Sequence, residues 1–242
     1  MTPEELFNDI HAYCLANADE AIVQKYSRYF KEGYDAFGLT HEQNTAKVNM
    51  LLDGQGVDLD LVIHAAPLLL QTGKYEETSF ALLLLKSFSK QFSKETFNEV
   101  GHWFEIGITN WGHTDFTCGE IIQVFFKKGI ITFQNLNKWR KAKSKFQRRA
   151  VPVSLIKELK TTSDYQPWLD FIEPLMMDPE REVHQGLGWF LREAWKRQPS
   201  QVEPFLYKWK NTAPRLIFQY ATEKMTPAEK QRFRKEKDTA SK

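Results

Sequence analysis

From Tyr75 onward the sequence repeats itself. Stretches with helical hydrophobic spacing come in pairs over roughly 75–106, 112–141, 146–176 and 180–210, a period in the mid-thirties. Each pair reads as an apolar first helix, a short polar turn and an amphipathic second helix. One such pair cannot bury its apolar face alone, so neighbours must stack. The expected fold class is therefore all-α, a solenoid of HEAT-like antiparallel helix pairs with a curved, basic concave face. The last pair is the clearest. Val183, Leu187, Phe190, Leu191 and Ala194 form one stripe behind an Asp178-Pro179 start. Arg197-Gln-Pro199-Ser200 breaks it, and Val202, Phe205, Leu206 and Trp209 line the next helix.

The N-terminus agrees with an all-helical chain. Thr2-Pro3-Glu4-Glu5 supplies a cap hydroxyl, a proline at the first helical position and a capping-box acid for a helix over 4–17. No Asn-Gly or Asp-Gly hairpin signal is present. No linker rich in Gly, Pro or Ser divides the chain, so residues 1–225 are expected to form a single domain. Residues 226–242 are expected to be a solvated helix and tail, disordered over 235–242.

Two cysteines far apart, Cys14 and Cys118, argue against a disulfide framework or a zinc site and suit a reducing cytoplasm. The start MTPEELFNDI lacks the basic and apolar regions of a signal peptide, and the apolar runs are too short to span a bilayer. These features lead to the expectation of a cytoplasmic protein without a membrane partner. The six histidines show no metal-binding spacing, so no metal is expected. No nucleophile elbow, phosphate-binding glycine loop or dinucleotide fingerprint occurs, which removes most common enzyme classes.

The net charge is only +2, so affinity for a polyanion would have to come from uneven distribution. The distribution is uneven. Lys138, Arg140, Lys141, Lys143, Lys145, Arg148 and Arg149 fall together without an acid among them, interleaved with Trp139 and Phe146. Such runs are usually solvated surface. This one leads directly into an apolar helix (Ala150, Val151, Val153, Leu155, Ile156), so Arg148 and Arg149 belong to a helix start. An anion bound there would relieve cations that oppose the helix dipole.

Trp111 and Asp115 stand four residues apart and share a helix face. They fit a core tryptophan beside a helix N-cap aspartate, because 107–110 looks like a turn. They also fit an indole that packs on a substrate and a carboxylate that stabilises a cation. Trp189 follows Gly186 and Gly188 within a helix, where each glycine costs about 1 kcal/mol relative to alanine. Close helix packing would explain the glycines, and so would close approach of a planar group or a sugar–phosphate chain.

Taken in order, these residues resemble the AlkD-like DNA alkylation repair family. The resemblance rests on Trp111-x-x-x-Asp115, Arg149-Ala150 opening the next apolar helix, and Gly188-Trp189-Phe-Leu-Arg192-Glu193. An early stretch, Arg28-Tyr29-Phe30-Lys31 followed by Phe37-Gly38-Leu39, is similar to the family's N-terminal signature. The likeness covers about residues 20–225.

It implies a HEAT-like monomer that hydrolyses the N-glycosidic bond of cationic N3- and N7-alkylated purines in duplex DNA. No organic cofactor is implied, the backbone is gripped, and the base is not flipped. Asp115 would be the carboxylate, with Trp111 and Trp189 against the deoxyribose. Arg149 would hold a phosphate, with Arg148, Tyr29, Lys145 and Lys143 touching the DNA as well. The Gly-His-Thr filler between Trp111 and Asp115 departs from the family pattern, and the doubled Arg148-Arg149 leaves the phosphate ligand open by one position. A second reading uses the same basic residues: a non-catalytic HEAT-repeat protein that binds damaged or branched DNA. A third, a protein-binding scaffold, ranks last because an acid-free run beside Trp139 and Phe146 suits phosphates better than a protein partner.

Overall fold

The computed structural model describes residues 1–54 and 56–236, and no strand occurs among them. They form two compact units, Met1–Ile130 and the chain from Ile131 onward. The fold is all-α and built of HEAT-like helix pairs.

The first unit contains α1 (Pro3–Ala16), α2 (Glu20–Ser27), α3 (His41–Asp53), α4 (Leu59–Gln71), α5 (Tyr75–Ser87) and α6 (Lys94–Ile106). It ends with α7 (Trp111–Phe116), a π-helical turn over Thr117–Ile122, and α8 (Gln123–Lys127). The capping box at Thr2 and Glu5 forms as the sequence indicates. Leu6, Ile10, Ala65, Leu69, Phe80, Leu84, Trp103 and Phe125 make the centre of this unit's core, each at most 1% exposed. A fully buried large apolar side chain contributes roughly 1.5–3 kcal/mol, so this layer holds the helices together.

The second unit contains α9 (Lys145–Leu155), α10 (Gln166–Ile172), α11 (Arg181–Trp195), α12 (Pro199–Trp209), α13 (Arg215–Ala221) and α14 (Pro227–Arg232). The whole expected stripe of α11, from Val183 to Ala194, is buried at 0% exposure. This helix begins at Arg181 rather than at the Asp178-Pro179 pair; the Asp178 carboxylate accepts from both the Glu180 amide and Arg148.

One of the four expected second helices is not an α-helix, and a second is shortened. Over 133–141 the chain forms 3₁₀ turns, Phe133–Leu136 and Trp139–Lys141. Its buried anchors, Leu136 and Trp139, lie three residues apart, which matches the 3₁₀ period and not an α-helical stripe. The segment after α9 likewise opens in a 3₁₀ turn before the short α10.

At the C-terminal end, α14 has no buried residue. The chain after it is nevertheless anchored. Phe233 is fully buried against Tyr207, and Arg232 pairs with Glu203 at 2.7 Å. Of the segment expected to be disordered, residues 237–242 lie outside the described residues.

Candidate nucleic-acid interface

Asn110 caps α7, its side chain accepting from the His113 amide at 2.9 Å. Asp115 is therefore an interior helical residue, not the helix cap, and it is half-buried. Trp111 is not a core residue either, since it is 42% exposed. Its indole N–H donates to the Tyr29 carbonyl at 3.3 Å, and its ring stacks on Phe30 with centroids 5.4 Å apart. The π-helical turn begins two residues beyond Asp115. Such insertions widen a helix locally and recur at functional sites.

The segment that presents Tyr29 and Phe30 is fastened from below. Glu76, 1% exposed at the start of α5, accepts the amides of Phe37, Gly38 and Leu39 at 2.8, 2.8 and 3.1 Å. Gly38 has φ +90°, and a Cβ there would lie 2.1 Å from the Asp19 carbonyl oxygen, so only glycine fits. Asp35 adds a 2.8 Å bond from the Tyr75 amide to its carbonyl. The two halves of the early signature thus have separate duties. One half meets Trp111, and the other holds the loop to α5.

His113 is 3% exposed and stacks on Tyr75, with ring centroids 4.3 Å apart. Its Nδ1 lies 2.8 Å from the Asn110 amide nitrogen, which donates to it. Its Nε2 lies 3.0 Å from Ser79 Oγ, whose own proton goes to the Tyr75 carbonyl. His113 Nε2 must then carry the ring proton and donate it. Burial holds the pKa down to about 3, with the Tyr75 backbone pulling weakly the other way, so the ring is neutral. A histidine that donates to the serine cannot take the serine's proton, and Ser79–His113 is not a nucleophile pair.

Beside α7 lies a cleft of about 770 Å³, within the first unit. Tyr26, Tyr29, Phe30, Tyr34, Tyr75 and Trp111 supply its aromatic walls. Spacing and motif in the sequence single out Tyr29, Phe30 and Trp111 from this set. The density of rings in Tyr26-x-x-Tyr29-Phe30-x-x-x-Tyr34 is the signal that points to Tyr26 and Tyr34, and none points to Tyr75. Asp115 does not line this cleft.

In the second unit the basic run divides in two. Arg148 donates to both Asp178 oxygens at 2.6 and 3.2 Å and to the carbonyls of Ala142 and Lys143. Arg149 is 5% exposed and donates to the Glu182 carbonyl at 2.9 Å. Lys145 lies 3.3 Å from Glu182, and Arg140 stacks on Phe171 while donating to its carbonyl at 2.7 Å. Acids absent from the run itself thus arrive from the start of α11. Lys138, Lys141 and Lys143 are exposed. These three lysines carry the accessible positive charge of the run.

Trp189 is half-buried on α11. Close packing accounts for the two glycines before it. A Cβ on Gly186 would sit 3.1 Å from Arg149 Cγ, and one on Gly188 would sit 2.4 Å from Tyr220 Cβ. Gly188 therefore lets α11 approach α13, and Gly186 lets it approach α9.

Among the described residues no helix is long and apolar enough to cross a membrane. No group of three or more His, Cys, Asp or Glu side chains that could hold a metal occurs there either. Both cysteines are free and buried.

The family model described as "DNA alkylation repair enzyme" matches residues 12–225. No curated protein matches the sequence. Among solved structures, a predicted DNA alkylation repair enzyme from Enterococcus faecalis is similar with a TM-score of 0.72 at 16% identity, covering 87% of this chain and 98% of that one. AlkD2 from Streptococcus mutans is similar with a TM-score of 0.56 at 18% identity, covering 86% of this chain and 99% of that one. At these identities the likeness establishes a shared fold.

Proposed function

Because the chain belongs to the DNA alkylation repair enzyme family, we propose that it is a DNA glycosylase. It removes cationic N3- and N7-alkylated purines from duplex DNA by hydrolysing the N-glycosidic bond. One observation carries the reading: Trp111 stands out of the core, held against Phe30 and Tyr29, one helical turn from Asp115 inside the same helix.

An alkylated purine with a positive charge leaves without a general acid. The demand on the protein is to stabilise an oxocarbenium-like sugar and to hold a water on one face. Asp115 serves that purpose as a carboxylate, through its field and by orienting water. Trp111 offers a ring face to the developing cation. The backbone is gripped while the base stays stacked. Of the cations, the exposed Lys143 is the most accessible to phosphate, and Tyr29 is a separate DNA contact. Arg149, Arg148 and Lys145 already serve groups at α11, so their part is chiefly to fix the start of α9. The working form is a cytoplasmic monomer needing neither metal nor organic cofactor.

A second reading is a non-catalytic DNA-binding protein. It is favoured by one feature: the exposed lysines at 138, 141 and 143 can hold phosphates without any help from Asp115. The deciding experiment incubates the protein with methylated duplex DNA and measures released 7-methylguanine and 3-methyladenine. Release by the wild type, lost in Asp115→Asn with DNA binding kept, supports the enzyme. Binding without release of either base supports the second reading.

A further inference from the structure

The cleft beside α7 has the composition of a ligand site; it shares Tyr29 and Trp111 with the proposed excision machinery but does not include Asp115. Its volume, about 770 Å³, lies within the roughly 300–1,000 Å³ of small-molecule sites. Three large aromatic residues on its walls remain in contact with water: Tyr26, Tyr29 and Trp111 are 41%, 51% and 42% exposed. Tyr34, Phe30 and Trp111 form successive near-parallel stacks, with planes 15° and 16° apart.

The polar groups of the cleft are directional rather than charged. Asn44 is 8% exposed and lines the cleft, and its Oδ1 is buried without a hydrogen-bond partner among the described residues. An orphaned buried acceptor is costly and asks for a donor. The hydroxyl of Ser79 lies on the same wall. Burial raises the pKa of both Tyr34 and Tyr75, with Glu76 adding to the shift, so their phenols stay protonated and can donate. The charged residues of the lining are Lys25 and Glu42, of opposite sign, with His41 between them in sequence. That balance does not select a phosphate. A lipid chain would leave the polar atoms unsatisfied, and a quaternary ammonium has no N–H to give Asn44.

We propose that this cleft binds a purine ring outside any base stack, held between aromatic faces with an N–H of the ring directed at Asn44 Oδ1. Stacking on aromatic side chains tolerates any base, and the edge contact would favour bases with a free N–H. Asp115 is not part of the lining of this site, and the site fills whether or not a glycosidic bond is broken. Two sources fit the chemistry: a free base, such as one released by excision, or an unpaired base within a strand.

The test follows ¹⁹F NMR of the full chain carrying 5-fluorotryptophan, with the Trp111 signal assigned by Trp111→Phe. Guanosine, 7-methylguanine, a single-stranded oligonucleotide, an undamaged duplex and tetramethylammonium are titrated separately. The expected result is a saturable shift of the Trp111 signal with the purines, weakened about three- to tenfold in Asn44→Leu by loss of one hydrogen bond. Removing an unpartnered acceptor should not unfold the protein, and Tyr34→Leu supplies an independent variant. A shift by free purine assigns the site to released base, and a shift by single strand alone assigns it to unpaired DNA. No saturable shift with either source overturns the proposal. So does a response to tetramethylammonium that matches or exceeds the purines. None of these readings needs the protein to excise anything, so failure here leaves the glycosylase assay undecided, and the converse also holds.

Discussion

The Trp111 indole lies parallel to the Phe30 ring, with centroids 5.4 Å apart and 16° between the planes. The same indole is pinned at its N–H by the carbonyl of the neighbouring Tyr29. An exposed tryptophan would otherwise sample several rotamers. Here a ring face and one hydrogen bond, from adjacent residues far away in sequence, fix its plane before any DNA arrives.

Phe30→Leu should therefore free the indole without unfolding the domain. An aromatic pair contributes about 0.5–1.5 kcal/mol beyond its buried area. A double-mutant cycle of Phe30→Leu with Trp111→Leu in urea should return a coupling in that range. A coupling near zero would mean that the stack does not hold the ring.

Glu76 is the fastener of the loop that carries those residues. Glu76→Ala leaves the amides of Phe37, Gly38 and Leu39 without their acceptor, and an unsatisfied buried donor costs about 1–3 kcal/mol. Partial hydration of a loosened loop reduces the sum, so a total loss of about 3–5 kcal/mol is expected in urea unfolding. Limited proteolysis should cut within 28–40 in this variant before it cuts elsewhere. Wild-type resistance there would show that other interactions hold the loop.

The basic run should separate into binding and structural halves. Replacing Lys138, Lys141 and Lys143 by Gln should leave stability within about 0.5 kcal/mol, as for surface sites. The same change should flatten the salt dependence of DNA binding, lowering the log–log slope by about 0.9 for each phosphate that is no longer neutralised. Arg148→Gln should do the reverse. It strands Asp178, which is largely buried, and breaking a buried pair costs about 3–5 kcal/mol, less here because Arg148 keeps some solvent exposure. Equal salt slopes for wild type and the lysine variant would assign phosphate binding to other residues.

These assignments show what a linear sequence can and cannot carry. The capping box at Thr2 and the stripe from Val183 to Ala194 were legible because both are local periodic patterns. The 3₁₀ form of 133–141 was not, because a run dense in cations looks helical until only Leu136 and Trp139 find a core. Likewise, Arg148 pairs with Asp178 and Glu76 holds amides well before it in the chain. No local pattern announces such long-range polar pairings. The pairing of Trp111 with Asp115 was visible as a spacing, but the ring that holds Trp111 in place was not.

The last prediction concerns His113 and pH. Its folded pKa is held down to about 3 from 6.5 by desolvation. Between those values the unfolded chain binds a proton that the folded chain refuses, so the folded state is penalised as pH falls. Stability should be insensitive to this group above pH 6.5 and decline below it by about 1.4 kcal/mol per pH unit. Measuring urea midpoints between pH 5 and 6.5 keeps clear of most carboxylate titration. His113→Gln should lose stability at neutral pH, through the missing stack on Tyr75, yet show a flatter profile across that window. The wild-type curve should approach the variant's as pH falls, closing by about 2 kcal/mol from pH 6.5 to 5. Parallel curves would mean that the folded protein accommodates the imidazolium, and the neutral Nε2–H form that excludes a Ser79 nucleophile would no longer stand.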